Sequence, residues 1–161
     1  MAFEGIDPVQ FGVGVSSTTL TQGVNDPQLG TKITKGGNDY VFVYNSGGTA
    51  TQNQIVCLNS GASGYSVTVS SVVESGYFFG VAANTALTAA AYGWVLTRGF
   101  ADLEPVTAVA SGNILIAGLN GQVDPPAVAT NATAWRGPVQ AIAQEATIAC
   151  GAAKCYINAF G

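Results

Sequence analysis

The sequence contains no histidine, the residue most often used as a general base and as a metal ligand. Catalytic arrangements of the Ser-His-Asp or Cys-His type therefore cannot be assembled within the chain. Carboxylates could still form an acid–base pair, since Asp102 and Glu104 lie two positions apart beside Arg98. A solvated loop with a weak surface ion pair is the favoured interpretation of these three residues. We therefore expect no enzymatic activity and no catalytic residues.

Charge is also scarce, because only 9% of the residues are charged, against about 25% in average globular proteins. The basic residues are dispersed along the chain, and they are Lys32, Lys35, Arg98, Arg136 and Lys154. Binding to phosphate backbones needs clustered cations, and the net charge is −4, so we expect no nucleic-acid partner. A weakly charged secreted domain fits this composition, but a subunit that buries much of its surface against partners fits it better.

Cysteines are few and odd in number, at positions Cys57, Cys150 and Cys155. No CxxC pair occurs and no histidine could complete a zinc site, so we expect no metal and no cofactor. Cys150 and Cys155 could pair across a turn, but buried thiols in a chain folded in a reducing cytoplasm are favoured. The sequence also lacks a secretory signal and the ~18-residue apolar run that a membrane span needs, so we expect no membrane partner.

Short strand patterns dominate the chain from residue 31 onward. The segment 39–45 is β-branched and aromatic on both faces, which predicts a strand that is either central between two layers or covered by a partner. Tyr65, Val67 and Val69 alternate with Ser66, Thr68 and Ser70, the period expected of a half-buried strand. Asn120-Gly121 is a strong hairpin signal. The segment 84–91 could be a short helix, but equally a loop.

Counting these patterns gives about nine to eleven short strands, without βαβ alternation. We therefore predict an all-β fold: a small antiparallel sandwich or barrel, formed by a single domain over residues 31–161. Tyr92, Trp94 and Leu96 are expected on one strand face. Trp94 and Trp135 could stack on sugars, but packing in a core or an interface is favoured.

Residues 1–30 differ from the rest because they lack a regular period and are rich in turn residues. They are nevertheless rich in apolar side chains, unlike a typical disordered tail. We therefore predict an extended N-terminal arm that orders on a neighbouring subunit, with a mobile tail as the alternative. Phe11, Val13 and Val15 alternate with small residues, which indicates one short strand within this arm.

The order of several segments resembles that of the small capsid decoration, or cement, proteins of tailed bacteriophages. The segments are Asp26-Pro27-Gln28-Leu29-Gly30-Thr31, Tyr40-Val41-Phe42-Val43-Tyr44-Asn45, Gln54-Ile55-Val56-Cys57, Gly80-Val81-Ala82, Ala91-Tyr92-Gly93-Trp94-Val95, Arg98-Gly99, Gly112-Asn113-Ile114-Leu115 and Lys154-Cys155-Tyr156-Ile157-Asn158-Ala159-Phe160. The Ala-Tyr-Gly-Trp-Val segment is the most specific of them. The resemblance implies a β-rich, often trimeric protein that binds the outer surface of the expanded head and is not an enzyme.

The resemblance therefore implies a structural virion protein, folded in the host cytoplasm and located on the outer surface of the capsid. Its expected partners are its own copies, in a trimer, and the phage major capsid protein, whose subunits it would cross-brace against internal pressure. The alternative is a receptor-binding or head-fibre module of a virion, or a carbohydrate-binding β-sandwich that uses Trp94, Tyr92 and Trp135 as a sugar platform.

The residues expected to contact the capsid or a sister subunit are apolar and aromatic side chains of the arm and of the central strands. They are Phe3, Ile6, Phe11, Val13, Leu29, Tyr40, Phe42, Tyr44, Tyr92 and Trp94. In the arm, Phe3, Ile6, Phe11 and Val13 would anchor a segment that adds strand-to-strand hydrogen bonds on a neighbour.

Overall fold

The computed structural model describes residues 15–16, 27–59, 64–69, 78–112, 114–124, 141–143 and 153–159. This part of the chain is all-β, as predicted, with one short 3₁₀ turn at Leu119–Gly121. The strands are β1 (Val15–Ser16), β2 (Lys32–Lys35), β3 (Asn38–Asn45), β4 (Ala50–Thr51), β5 (Ile55–Leu58), β6 (Ser66–Val69), β7 (Phe78–Ala82), β8 (Ala86–Leu87), β9 (Ala91–Leu103), β10 (Ile114–Ala117), β11 (Val123–Asp124), β12 (Ala141–Ala143) and β13 (Ala153–Asn158). Across these ranges, no helix is long and apolar enough to cross a membrane.

Five strands pair in a closed ring, which gives the barrel that the sequence predicted. β3 pairs with β6, β6 with β5, β5 with β7, β7 with β9, and β9 returns to β3. Four of these pairings are antiparallel, whereas β3 and β6 run parallel. The parallel pair was not predicted, because a strand's own alternation carries no information about the direction of its neighbour.

The C-terminal half of β9 extends the barrel into a second group of strands. Beyond the ring, residues Arg98 to Leu103 of β9 pair with β13, which continues through β12 and β10 to β11. The β10–β11 connection is a hairpin, as Asn120-Gly121 predicted. Its Asn120 and Gly121 have positive φ angles of 54° and 77°, which asparagine tolerates and glycine adopts freely.

Two hydrophobic clusters occupy opposite faces of the central strands. The first draws on all five ring strands and on the small β4–β8 sheet, with Val41, Val43 and Val95 among its members. The second contains Phe42, Trp94 and other residues of the ring together with apolar residues of β10, β11 and β13. Both apolar faces of β3 are thus buried within the chain. The sequence left open whether this strand is central between two layers or covered by a partner, and the structure shows the central position.

Two local interpretations are refined by the structure. The segment 84–91 is not a helix but forms β8 followed by a turn, in which Ala90 has a φ of 56°. Tyr65 was predicted on the apolar face of β6, but it precedes the strand and is 39% exposed. Ser66 is buried instead, because its hydroxyl donates a hydrogen bond to the Ser46 hydroxyl at 2.8 Å.

The end of the predicted arm is docked on β3. The backbone N–H of Gly30 donates to the carbonyl of Phe42, and the N–H of Phe42 donates to the carbonyl of Thr31, both at 2.9 Å. Further upstream, Val15 and Ser16 pair antiparallel with Tyr92 and Ala91 of β9. Parts of residues 1–30 therefore contact the chain's own domain, and the division at residue 30 stays a prediction.

Candidate interaction site

Five of the predicted contact residues come together on one face of the β3–β9 pair, and we call this set (Tyr40, Phe42, Tyr44, Tyr92 and Trp94) the aromatic ladder. The register places Phe42 opposite Trp94 and Tyr44 opposite Tyr92. The ring centroids of Phe42 and Trp94 are 5.1 Å apart at an interplanar angle of 58°, and those of Tyr44 and Tyr92 are 5.1 Å apart at 50°. Phe42 and Tyr92 are stacked at 6.0 Å. The rings of Trp94, Phe42, Tyr92 and Tyr44 therefore form one continuous row.

Burial divides the aromatic ladder into an inner and an outer part. Phe42 and Trp94 are only 1% and 3% exposed, and Tyr40 is 9% exposed. These three side chains pack inside the second cluster and have little surface left for a partner. Tyr44 and Tyr92 are half-buried and form the end of the ladder that a second protein could contact.

The N-terminal segment reaches the ladder at its accessible end. The backbone of Val15 pairs with Tyr92, and the half-buried Leu29 packs against the same cluster as Phe42 and Trp94. Val15 and Leu29 lie 77 and 63 positions before Tyr92 in the sequence, so the fold brings distant parts of the chain to the same cluster as Tyr92. The remaining arm residues of the prediction, Phe3, Ile6, Phe11 and Val13, lie outside the described residues.

Trp94 is held by its backbone and not by its indole nitrogen. Its N–H donates to the side-chain oxygen of the buried Asn84 at 2.6 Å. The indole Nε1 is buried and has no acceptor among the residues that the structure describes. With 3% of its surface exposed, Trp94 does not present a ring face on which a sugar could stack, and Trp135 lies outside the described ranges.

A bulge in β9 changes which side chains face the solvent. Tyr40 lies opposite Leu96 and Asp39 lies opposite Arg98, so Thr97 is an extra residue on β9. Before the bulge the even-numbered positions, such as Trp94, face the second cluster. An inserted residue shifts this alternation by one. After the bulge the odd-numbered positions face the cluster, and the even-numbered ones point outward.

The bulge creates a second, exposed face that sequence reasoning missed. Phe100 is 51% exposed, and its ring lies 5.3 Å from that of Tyr156 on β13, at an interplanar angle of 63°. A hydrogen bond with Tyr156 is the main reason that the pKa of Arg98 is raised, with the charge of Asp39 contributing further. Arg98 lies 4.0 Å from Asp39, which is its ion-pair partner in place of the expected Asp102 or Glu104.

A signal for this face was present in the sequence. In the segment 98–103 the charged residues Arg98 and Asp102 take even-numbered positions and Ala101 and Leu103 take odd-numbered ones, one step out of phase with Tyr92, Trp94 and Leu96, and Phe100 alone departs from this pattern. Such a phase shift within a strand indicates a bulge.

The reactive groups of the described residues offer little chemistry. No cluster of three His, Cys, Asp or Glu side chains that could hold a metal occurs within the described ranges. Burial raises the pKa of Cys57 and of Cys155 to about 11, so both thiols stay protonated at neutral pH and are poor nucleophiles. Cys150, the other half of the alternative pair, lies outside the part of the chain that the structure describes.

Comparison with family models finds no match for this chain, and none of the curated proteins matches it. Among solved structures, the fold is similar to the N base of the head fiber protein gp8.5 of bacteriophage phi29. The TM-score is 0.49 at 10% sequence identity, and the similarity covers 74% of this chain and 93% of the other.

Proposed function

We propose that the chain is a structural virion protein that decorates the outer surface of a tailed-phage head and braces the major capsid protein subunits beneath it, as a homotrimer. The observation that carries the proposal is that β1, Tyr44 and Tyr92 meet at one end of the aromatic ladder, with Leu29 packed against the same cluster as Tyr92. The resemblance of the sequence to capsid decoration proteins and the scarcity of charge, at 9% of residues, support it.

The aromatic end of the ladder is suited to bind a protein surface. Tyrosine supplies a large contact area at low cost in conformational entropy, and aromatic residues are enriched in the energetically important centres of interfaces. Tyr44 and Tyr92 are positioned by their tilted contact with each other and by the buried Phe42 below Tyr92. Little ordering is therefore needed when a partner binds.

The N-terminal arm is the second contact in this proposal. It leaves the domain through β1, which pairs with β9 beside Tyr92. Residues 1–14 would then extend from the same region as the tyrosines and add backbone hydrogen bonds and apolar anchors on a neighbouring chain. Three such arms and three tyrosine pairs in one trimer act together, and linked contacts of this kind can gain 10²–10⁴-fold in avidity.

The direct test measures binding to expanded, DNA-free heads assembled from the major capsid protein of the same phage, together with the oligomeric state in light scattering. We expect a trimer that binds the heads at a fixed stoichiometry. Removing residues 1–14, or the substitution Tyr44→Ala, should weaken binding at least 10-fold. The matched control is Phe100→Ala, which truncates an exposed aromatic ring outside the ladder and should leave head binding as it is in the parent. A monomer without affinity for the heads would refute the proposal.

A further inference from the structure

A cleft lies beside the exposed Phe100, at the end of the aromatic ladder that Tyr40 forms. Its volume is about 390 Å³, within the range of small-molecule sites in proteins. Its floor includes Tyr40 and Leu96, and its rim includes Gln52, Asn53, Phe100 and Asp102. We call it the Phe100 cleft, and it does not include Tyr44 or Tyr92, the residues assigned above to capsid binding.

The aromatic wall of the cleft is held in place before any ligand arrives. The ring of Phe100 is supported by Tyr156 at 5.3 Å, and its backbone N–H donates to the side-chain oxygen of Asn38 at 3.2 Å. Tyr156 in turn interacts with the Arg98 guanidinium and raises its pKa. A phenyl ring that is supported in this way at the edge of the cleft can contact a ligand at little entropic cost.

Three polar side chains complete the rim, and they are available for hydrogen bonds. The backbone of Asn53 is fixed by a hydrogen bond from its N–H to the carbonyl of Ala82 at 2.9 Å and has a φ of 70°. Within the described part of the chain, the side chains of Gln52, Asn53 and Asp102 make no hydrogen bond or ion pair, and all three are exposed. They offer two amides and one carboxylate to a ligand.

The chemistry of these groups identifies the class of ligand. A flat apolar ring binds the C–H face of a pyranose, while amides and a carboxylate accept and donate hydrogen bonds to its hydroxyls. Among the described residues that line the cleft the charged one is Asp102, and Lys154, which lies opposite Asp102 on β13, is outside this lining. A carboxylate in the lining disfavours an anion. We infer that the Phe100 cleft is a binding site for a neutral saccharide, with Phe100 as the stacking residue and Asp102, Gln52 and Asn53 as hydrogen-bonding residues.

The bulge is the structural reason that this site exists. Without the extra Thr97, the alternation that buries Trp94 and Leu96 would also turn Phe100 and Asp102 toward the hydrophobic cluster. Bulges are found where a strand must re-aim a side chain at a binding site. Here the shift brings an aromatic ring and a carboxylate from one strand to the same side of the cleft.

The test is a titration of the full chain with D-glucose, D-galactose and N-acetyl-D-glucosamine, followed in amide nuclear magnetic resonance spectra. We expect saturable shifts at Asn53 and at residues 100–102 for at least one sugar, with a Kd on the order of 1 mM. Glucuronic acid should bind more weakly than glucose because of Asp102. If methyl glycosides bind as well as the free sugars, the ligand is a sugar unit within a polysaccharide. If methylation abolishes binding, the ligand is a free sugar.

Two pairs of variants locate the site. Phe100→Ala and Asp102→Asn should each reduce affinity at least 10-fold, whereas their controls Tyr65→Ala and Glu104→Gln, at exposed positions outside the cleft, should leave it unchanged. Well-dispersed amide spectra of the variants without sugar would show that they are folded. The inference is overturned if no sugar gives saturable shifts at these residues, or if both cleft variants bind as the parent does. Loss of head binding with intact sugar binding would instead count against the capsid proposal alone.

Discussion

The side-chain oxygen of Asn38 occupies the space that a Cβ atom on Gly99 would need. The same oxygen accepts the hydrogen bond from the N–H of Phe100 at 3.2 Å. Gly99 also has a φ of 126°, in the region that side chains of L-residues rarely adopt. The contact marks the point where β9 leaves the barrel and continues alongside β13.

Replacement of Gly99 by alanine should therefore destabilise the protein. Both the positive φ and the clash with Asn38 oppose a Cβ atom, and we expect a loss of about 1–3 kcal/mol in the free energy of unfolding, measured by urea denaturation. Gly64→Ala is the matched control, because a Cβ atom at that position meets nothing within 4 Å. The free energy of unfolding of the control should stay within about 0.5 kcal/mol of the parent value. Equal stabilities of the two variants would contradict the strain assigned to a Cβ atom at position 99.

Two phenylalanines on opposite sides of the bulge should respond very differently to truncation. Phe42 is fully enclosed in the second cluster, so Phe42→Ala should cost about 3–5 kcal/mol of folding free energy through lost burial and a cavity. Phe100→Ala removes a ring that is half in solvent and should cost less than about 1 kcal/mol. Chemical denaturation of both variants measures the difference, and similar losses would mean that the burial assigned to these residues is wrong.

Asn45 should be the most sensitive polar residue of the barrel. Its buried amide donates to the carbonyls of Gly48, Leu87 and Thr88 at 2.8, 2.8 and 3.1 Å. Asn45→Ala removes these three hydrogen bonds, although the Thr88 carbonyl still accepts the N–H of Ala91 at 3.2 Å, and should cost about 2–3 kcal/mol of folding free energy. Asn59→Ala, which removes a hydrogen bond to Ser46 nearer the surface, is the control and should cost less than about 1 kcal/mol. Thermal and urea denaturation should both show a larger loss of stability for Asn45→Ala than for Asn59→Ala, and equal losses would contradict the prediction.

Stability should fall in alkaline solution because of the two buried thiols. Burial raises the pKa of Cys57 and of Cys155 from 9.0 to about 11 in the folded chain. The unfolded chain therefore releases these protons at a lower pH than the folded chain does. The stabilisation that the two protonated thiols contribute is complete below pH 9 and declines as the pH rises toward 11. We expect a loss of about 1–2 kcal/mol per thiol across this interval. The double variant Cys57→Ala, Cys155→Ala should show a shallower decline, and parallel curves for the two proteins would exclude the thiols as its cause.

Local patterns were sufficient to predict several parts of the fold. The alternation in Tyr92, Trp94 and Leu96 placed the aromatic side chains on the correct face of β9. The Asn120-Gly121 pair predicted its hairpin because positive φ angles are a property of single residues. Together these signals indicated an all-β barrel or sandwich of the observed kind.

The pairing between distant strands could not be predicted from periodicity. The two apolar faces of β3 left open whether sister subunits or the chain itself covered them, and only the ring closure through β9 decided that Phe42 and Trp94 are internal. The exposed Phe100 was missed for a related reason. Gly99 reads as a strand end in isolation, and the partner that continues the strand, β13, lies more than 50 residues away in the sequence.

The closed ring of strands also has a consequence for how the newly made chain folds. Asn45 must pair with Ala91, and Asp39 with Arg98, at sequence separations of 46 and 59 positions before the ring is complete. Proteins dominated by such distant pairings fold on the timescale of milliseconds to seconds. Until β9 has left the ribosome, the edge of β3 that will receive it is open, so a nascent chain is most at risk of aggregation during the synthesis of residues 46–103.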